Sequence, residues 1–176
     1  RIMLPEYLNR KTSKLEKLTS YGKKLGCEFG TIVNGLCLID CPFRDFHYSF
    51  NSHAVGGKNY QPIDYYSARW ALLKVENPGE MLKMGWIRPE DLKQYVNSGI
   101  NVFKIAGREM IKPDFLKVVD IYNEGSFDGN LWELFKCFSE PADSSGIFYY
   151  SKVFDMQNKE LGDFTRRFFE AKSFCS

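Results

Sequence analysis

The sequence predicts an α/β protein, a partial or remodelled (β/α) barrel in which parallel strands alternate with helices around a long aromatic insert. Three observations carry that expectation. Short apolar runs alternate with stretches of helical period, the links between them are short, and polar clusters follow the strands. A complete eight-fold barrel takes about 250 residues, so a chain of 176 supplies only part of one.

Ile2-Met3-Leu4 is a short apolar run stopped by Pro5, with Asn9-Arg10 in the loop beyond it. From Ser13 to Leu25 the apolar positions Leu15, Leu18, Tyr21 and Leu25 recur at steps of three and four. Ser13 suits an N-cap and Gly26 a stop, which makes this an amphipathic helix. Glu28 to Val33 is the next strand, ending in Asn34-Gly35. Residues 42–80 form a long stretch rich in aromatic residues, Gly and Asn, with weak periodicity, as functional loops are. Pro89 opens a helix with Glu90 and Asp91 in its first turn, and Gly99 ends it. Val102 to Ala106 reads as a strand, with Gly107-Arg108 on the following loop. Pro113 starts a helix with the stripe Phe115, Leu116, Val119 and Tyr122, and a last helix is expected over Asn130 to Phe138. Residues 1–140 are therefore expected to form the barrel portion and 141–176 a C-terminal tail.

Composition narrows the function classes. Hydrophobic residues make up 44%, ordinary for a folded domain, whereas the 16% aromatic share is high. Lys and Arg number 24 against 22 for Asp and Glu, a formal charge of +2 that argues neither for nor against nucleic acid. No run is long and apolar enough to cross a bilayer, and no secretory signal opens the chain. Five cysteines, an odd number, then fit a reduced, cytoplasmic setting in which paired thiols more often bind metal than form disulfides. The first residue is Arg1, and the reading expects a fragment or one part of a longer protein.

In parallel α/β folds ligands gather where strands end. Arg10, the Cys37/Cys41 loop and Arg108 all hold that position. Cys37 and Cys41, four residues apart on a loop after a strand, can turn both sulfurs toward one point. Thiolates bind zinc and iron–sulfur clusters well, while the bland reading is two thiols packed as small hydrophobes. Cys27 lies at the strand's start. His47 and His53 can complete a zinc site with the thiols, pair with Cys37 for nucleophilic catalysis, or contact substrate. Arg44, Arg88 and Arg108 can clamp a carboxylate or phosphate by forked hydrogen bonds, or pair with Glu90, Asp91 or Glu109 at the surface. Lys104, on a strand between apolar neighbours, is expected to face a pocket or a buried acid. Aromatic residues of the insert, among them Tyr48, Tyr60 and Trp70, can stack RNA bases or wall the barrel's mouth.

Two segments together resemble a known family. Val33-Asn34, Cys37, Cys41-Pro42-Phe43-Arg44, His47 and His53 are similar to the cysteine loop of the collagenase-like peptidases (the unassigned "U" peptidases, family 32). Trp86-Ile87-Arg88-Pro89-Glu90-Asp91-Leu92 and then Phe103-Lys104-Ile105-Ala106-Gly107-Arg108 resemble that family's strand end, in the family's order. The resemblance places the chain in the C-terminal part of the family's barrel domain. It implies a barrel-like protein holding a [4Fe–4S] cluster through four cysteines and serving oxygen-independent hydroxylation of RNA or a quinone. A few members degrade collagen. It implies Cys37 and Cys41 as cluster ligands with Cys27 upstream; from their own positions, Asn34, Arg44, His47, His53, Lys104, Arg108 and Arg10 are the expected substrate-binding residues. The alternatives are a peptidase acting on collagen-like or small peptides, and a non-catalytic accessory module stabilised by zinc. The expected partners are an acidic small molecule or RNA as substrate, and a second chain or missing N-terminal half completing the barrel; no membrane partner is expected.

Overall fold

The computed structural model describes residues 1–38, 41–46, 49, 72–73, 76–107, 110, 112–138 and 155–171. The predicted parallel α/β class is what it shows. Strands β1 (Ile2–Met3), β2 (Phe29–Ile32) and β3 (Ile100–Lys104) form one sheet in the order β1-β2-β3, all parallel. Sequential parallel neighbours joined by right-handed crossovers put their helices on one face, as in consecutive units of a barrel. Ile2 pairs with Phe29 and Met3 with Gly30, while Gly30, Thr31 and Ile32 oppose Val102, Phe103 and Lys104. β3 begins two residues earlier than the apolar run suggested, because Ile100 is buried completely beneath the helices.

Helix α1 (Thr12–Lys24) connects β1 to β2, and it ends at Leu25 before Gly26 takes a φ of 71°. Its buried residues are Thr12, Leu15, Thr19 and Gly22, whereas Leu18, Tyr21 and Leu25 of the expected stripe are exposed. Small side chains explain the difference. Gly22 lies against the Phe29 ring so closely that a Cβ there would overlap it, and the Thr19 hydroxyl donates to the Ser98 carbonyl at 2.5 Å. The helix thus rests on its small-residue face, where the backbone comes nearest the sheet.

Pro89–Asp91 forms a 3-10 turn that leads into α2 (Leu92–Asn97), and Gly99, at a φ of 93°, turns the chain into β3. Helix α3 (Lys112–Glu124) buries Val118 and Tyr122 and leaves Leu116 exposed. Leu131–Phe138 is 3-10 rather than α, with non-helical backbone at Phe135. The expected tail contains a 3-10 turn at Asn158–Leu161 and helix α4 (Phe164–Ala171). α4 packs back on the body: Phe164 stacks on Trp86 at 5.9 Å and Phe169 meets Tyr95 edge-on at 5.1 Å.

The core lies between the sheet, the helices and the 84–91 segment, with Trp86, Tyr95, Leu131, Trp132 and Phe135 at its centre. That segment is tied to the end of β2, since the Ile87 N–H donates to the Val33 carbonyl at 2.7 Å. No helix among the described residues is long and apolar enough to cross a membrane. The aromatic insert from Phe50 to Trp70 lies outside the described residues.

Candidate functional site at the C-terminal ends of the strands

Three segments meet beyond the strand ends: the 3-10 turn Glu6–Arg10 after β1, residues 33–38 with Cys41 after β2, and residues 105–107 after β3. Pro5 stops β1 and aims the next residue, Glu6, across the edge toward the β2 loop. Gly35 lies flat against the Glu6 carboxyl, in a space that a Cβ would occupy. Glu6 accepts hydrogen bonds from the Cys37 thiol and the Cys37 backbone N–H. Burial raises the Glu6 pKa above the ordinary carboxylate value, against the opposing pull of those hydrogen bonds and of the nearby Arg44 charge.

Arg44 also bonds Asp45 at 3.4 Å, and its guanidinium lies 5.6 Å from the Tyr7 ring centroid. Lys11 approaches the same ring at 5.4 Å. Cys41 sits in the turn just past Cys37, where its N–H donates to the Leu38 carbonyl at 3.3 Å, and both thiols are partly buried and outside any disulfide. The structure thus brings Cys37, Cys41 and Arg44 to one loop. It adds a residue that sequence reasoning missed, Glu6. Its only signal in the sequence is an acid placed directly after the proline that ends a strand.

The other expected residues have different surroundings. Asn34 is fully buried and its amide acts as a strut: it donates to the Ala106 and Leu134 carbonyls at 2.7 and 3.3 Å and accepts from the Ala106 N–H at 2.8 Å. Its hydrogen bonds hold the ends of β2 and β3 together. Arg10 is likewise buried. Its guanidinium lies 4.6 Å from the Trp86 ring centroid and donates to the Leu82 carbonyl and the Tyr95 hydroxyl. Burial lowers the Arg10 pKa and pushes that of Tyr95 up to about 12. Lys104 is exposed at the end of β3, not facing a buried acid. Arg88 resolves as pairing: it forks onto Asp91 at 2.5 and 3.0 Å inside the protein. His47, His53 and Arg108 lie outside the described residues.

Cys27 lies at the opposite end of β2 from the other two thiols. It precedes β2, with its N–H donating to the Gly22 carbonyl at the end of α1, whereas Cys37 and Cys41 follow β2. Four strand residues at about 3.3 Å each lie between Cys27 and the loop that carries the other two. Among the described residues, no three His, Cys, Asp or Glu side chains are gathered to hold a metal ion. Two thiols alone do not fit a four-thiolate cluster or a four-coordinate zinc site.

Gly35→Ala tests the Glu6 pocket without touching a charged residue. The methyl displaces the far end of a flexible side chain, so the fold survives while the carboxylate is expelled toward water. A carboxyl whose folded pKa is raised contributes stability that is fully present below its unfolded pKa and lost as pH rises through its folded pKa. Unfolding midpoints of the wild-type chain should therefore carry that loss as pH rises from the ordinary carboxylate range through the raised Glu6 pKa. Gly35→Ala should remove it; parallel pH profiles for the two proteins would show that Glu6 is not held as described.

Fold and site together define a parallel α/β protein whose chemistry-bearing residues sit at the C-terminal strand ends. No family model matches the chain, and no solved structure matches it. Among curated proteins it is similar to an uncharacterized protease of Methanocaldococcus jannaschii, with 33% identity over 137 residues. The match takes in 77% of this chain and 40% of that protein, so the chain spans less than half the length of this relative.

Proposed function

We propose that the chain carries one edge of a peptidase site, of the collagenase-like family that its cysteine loop resembles, with Cys37 as the reactive group. The observation that carries this reading is the hydrogen bond between the Cys37 thiol and the half-buried Glu6 carboxylate. Similarity to a protein named a protease supports the reaction class. A thiol is a nucleophile once its proton is taken by a neighbouring base. The Cys37 sulfur attacks the scissile carbonyl, and the thiol proton passes to Glu6. Glu6, with its raised pKa, then returns that proton to the departing amine. Water hydrolyses the resulting thioester and restores the thiol. Arg44, beside Glu6, offers a cation to an acidic group of the substrate.

A second reading rests on Cys37 and Cys41 sharing one turn: the pair is half of a metal site, completed by ligands outside the described residues. A [4Fe–4S] cluster there would supply redox chemistry for oxygen-independent hydroxylation of RNA or a quinone, and zinc would supply stability or a Lewis acid. Anaerobic purification with iron, sulfide and zinc analysis separates these readings from the peptidase. Near-stoichiometric metal that is lost in Cys41→Ala favours the second. Metal-free protein that cleaves gelatin in the presence of a chelator favours the first. In that case Cys37→Ala should lower cleavage at least about 100-fold, the scale of a lost nucleophile or acid–base partner.

A further inference from the structure

Positive charge gathers at one aromatic ring beside the Cys37–Glu6 pair. Tyr7 follows Glu6 in the same 3-10 turn, and its half-buried ring has the Lys11 ammonium 5.4 Å and the Arg44 guanidinium 5.6 Å from its centroid. Both are cation–π distances. Arg44 reaches the ring from the loop that carries the thiols, where its N–H donates to the Cys41 carbonyl at 3.3 Å. Lys11 comes from the junction between the 3-10 turn and α1. Its N–H donates to the Leu8 carbonyl at 2.9 Å, and its carbonyl accepts from the N–H groups of Lys14 and Leu15.

That junction is the N-terminus of α1. The Lys11 side chain makes no capping bond and no acid lies in the first turn, so the positive end of the helix dipole adds to the two side-chain charges. Thr12, the first helical residue, is fully buried, and its hydroxyl has no hydrogen-bond partner among the described residues. Helical side chains tilt toward the N-terminus, which directs that hydroxyl to the same end. An unpaired buried hydroxyl is costly, and two like charges at one ring repel. A single anion lodged there answers both. Asp45 bonds Arg44 at 3.4 Å, but its side chain is 88% exposed and water screens the pair, so a ligand's anion can replace it.

We propose that Tyr7, Lys11, Thr12 and Arg44 form a subsite for a carboxylate of a peptide substrate, at the N-terminus of α1 and next to the reactive thiol. The proposal rests on the peptidase reading and deepens it by naming the substrate class: peptides with an acidic residue, or a free C-terminus, close to the scissile bond. Arg44 ties the subsite to the chemistry, because its charge also acts on the Glu6 carboxyl. The Tyr7 ring offers apolar surface to the methylene groups that precede such a carboxylate. Two side-chain charges and one helix end match a single carboxylate, whereas a nucleic acid is held by contacts to many phosphates.

The test uses the full protein and short gelatin-derived peptides that differ only in Glu against Gln at one position, each made with a free and with an amidated C-terminus. Binding, by titration calorimetry, and cleavage are read separately. The expected result is at least about tenfold tighter binding and higher kcat/KM for a carboxylate peptide than for its neutral counterpart. Lys11→Gln and Arg44→Gln should each lose that preference. Lys11→Glu should turn it toward a peptide carrying Lys in place of Glu, a gain that a misfolded chain cannot show. Comparing the four peptides assigns the carboxylate to a side chain or to the C-terminus, and either assignment supports the subsite. Equal handling of charged and neutral peptides overturns the proposal, and leaves the peptidase reading standing if both are cleaved. Charge-selective binding that depends on Lys11 but leads to no cleavage keeps the subsite and removes the peptidase reading. Inorganic phosphate or an RNA oligonucleotide bound more tightly than any peptide, through the same residues, assigns the site to phosphate and overturns the proposal.

Discussion

Asp91→Asn is expected to destabilise the chain by about 3–5 kcal/mol, the cost of leaving a buried ion pair with one partner. Asp91 and Arg88 are both nearly inaccessible and bond in a forked geometry. Asp91 also accepts from the Thr165 hydroxyl at 2.5 Å, and Arg88 donates to the Gly162 carbonyl at 2.8 Å, so the pair anchors the segment that leads into α4. A second buried cation depends on the same carboxylate, because the Asp91 charge favours the charged form of Arg10. Neutralising Asp91 therefore leaves two guanidinium groups in the interior without that counter-charge. Denaturant unfolding gives the loss. The double variant Arg88→Met/Asp91→Leu should cost less than Asp91→Asn alone, since it removes both charges. A double variant worse than the single one would mean that the pair stabilises by more than mutual compensation.

Trp86→Ala should be comparably severe, about 3–5 kcal/mol for an aromatic removed from a packed core. Trp86 is 1% exposed, and its indole N–H donates to the Met81 carbonyl at 2.8 Å. Its ring stacks on Phe164, tilts against Phe135 at 5.9 Å and lies under the Arg10 guanidinium. The cation–π contact adds about 2 kcal/mol when desolvated. Because Phe164 belongs to α4, the variant should raise amide hydrogen exchange across Phe164–Ala171 before it affects β2. Trp86→Phe should recover most of the stability. Unchanged exchange in α4 would separate that helix energetically from the core.

The fold was legible where the physics is local. Proline-stopped β1, the apolar run of β2 and the Pro89 and Gly99 boundaries all follow from backbone constraints that one residue imposes on its neighbours. The face of α1 was not, because period alone cannot say whether a helix rests on its leucines or on Thr19 and Gly22. That choice is made by how closely Phe29 and the Ser98–Gly99 turn approach. The short 3-10 turn that replaces the expected helix at Leu131–Phe138 is set by tertiary contacts, among them the Asn130 side chain accepting from the N–H groups of Trp132 and Met156.

The site was half legible. Cys37 and Cys41 are four residues apart on one loop, but polar residues near strand ends look alike in sequence whether they bind ligand or brace the fold. Asn34 and Arg10 brace it, and Arg88 is occupied by Asp91. Cys27 was grouped by its distance along the chain, and the intervening strand carries it to the other end of the sheet. Glu6 was overlooked because its relation to Cys37 spans α1 and β2.

The central claim is that the Cys37–Glu6 pair is the reactive centre, and gelatin cleavage by the full protein in a strong chelator tests it most directly. Wild-type protein and Cys27→Ala should cleave alike, while Cys37→Ala and Glu6→Gln should both be inactive yet folded. Cleavage that survives Cys37→Ala, or that vanishes in chelator for every variant, would contradict the account.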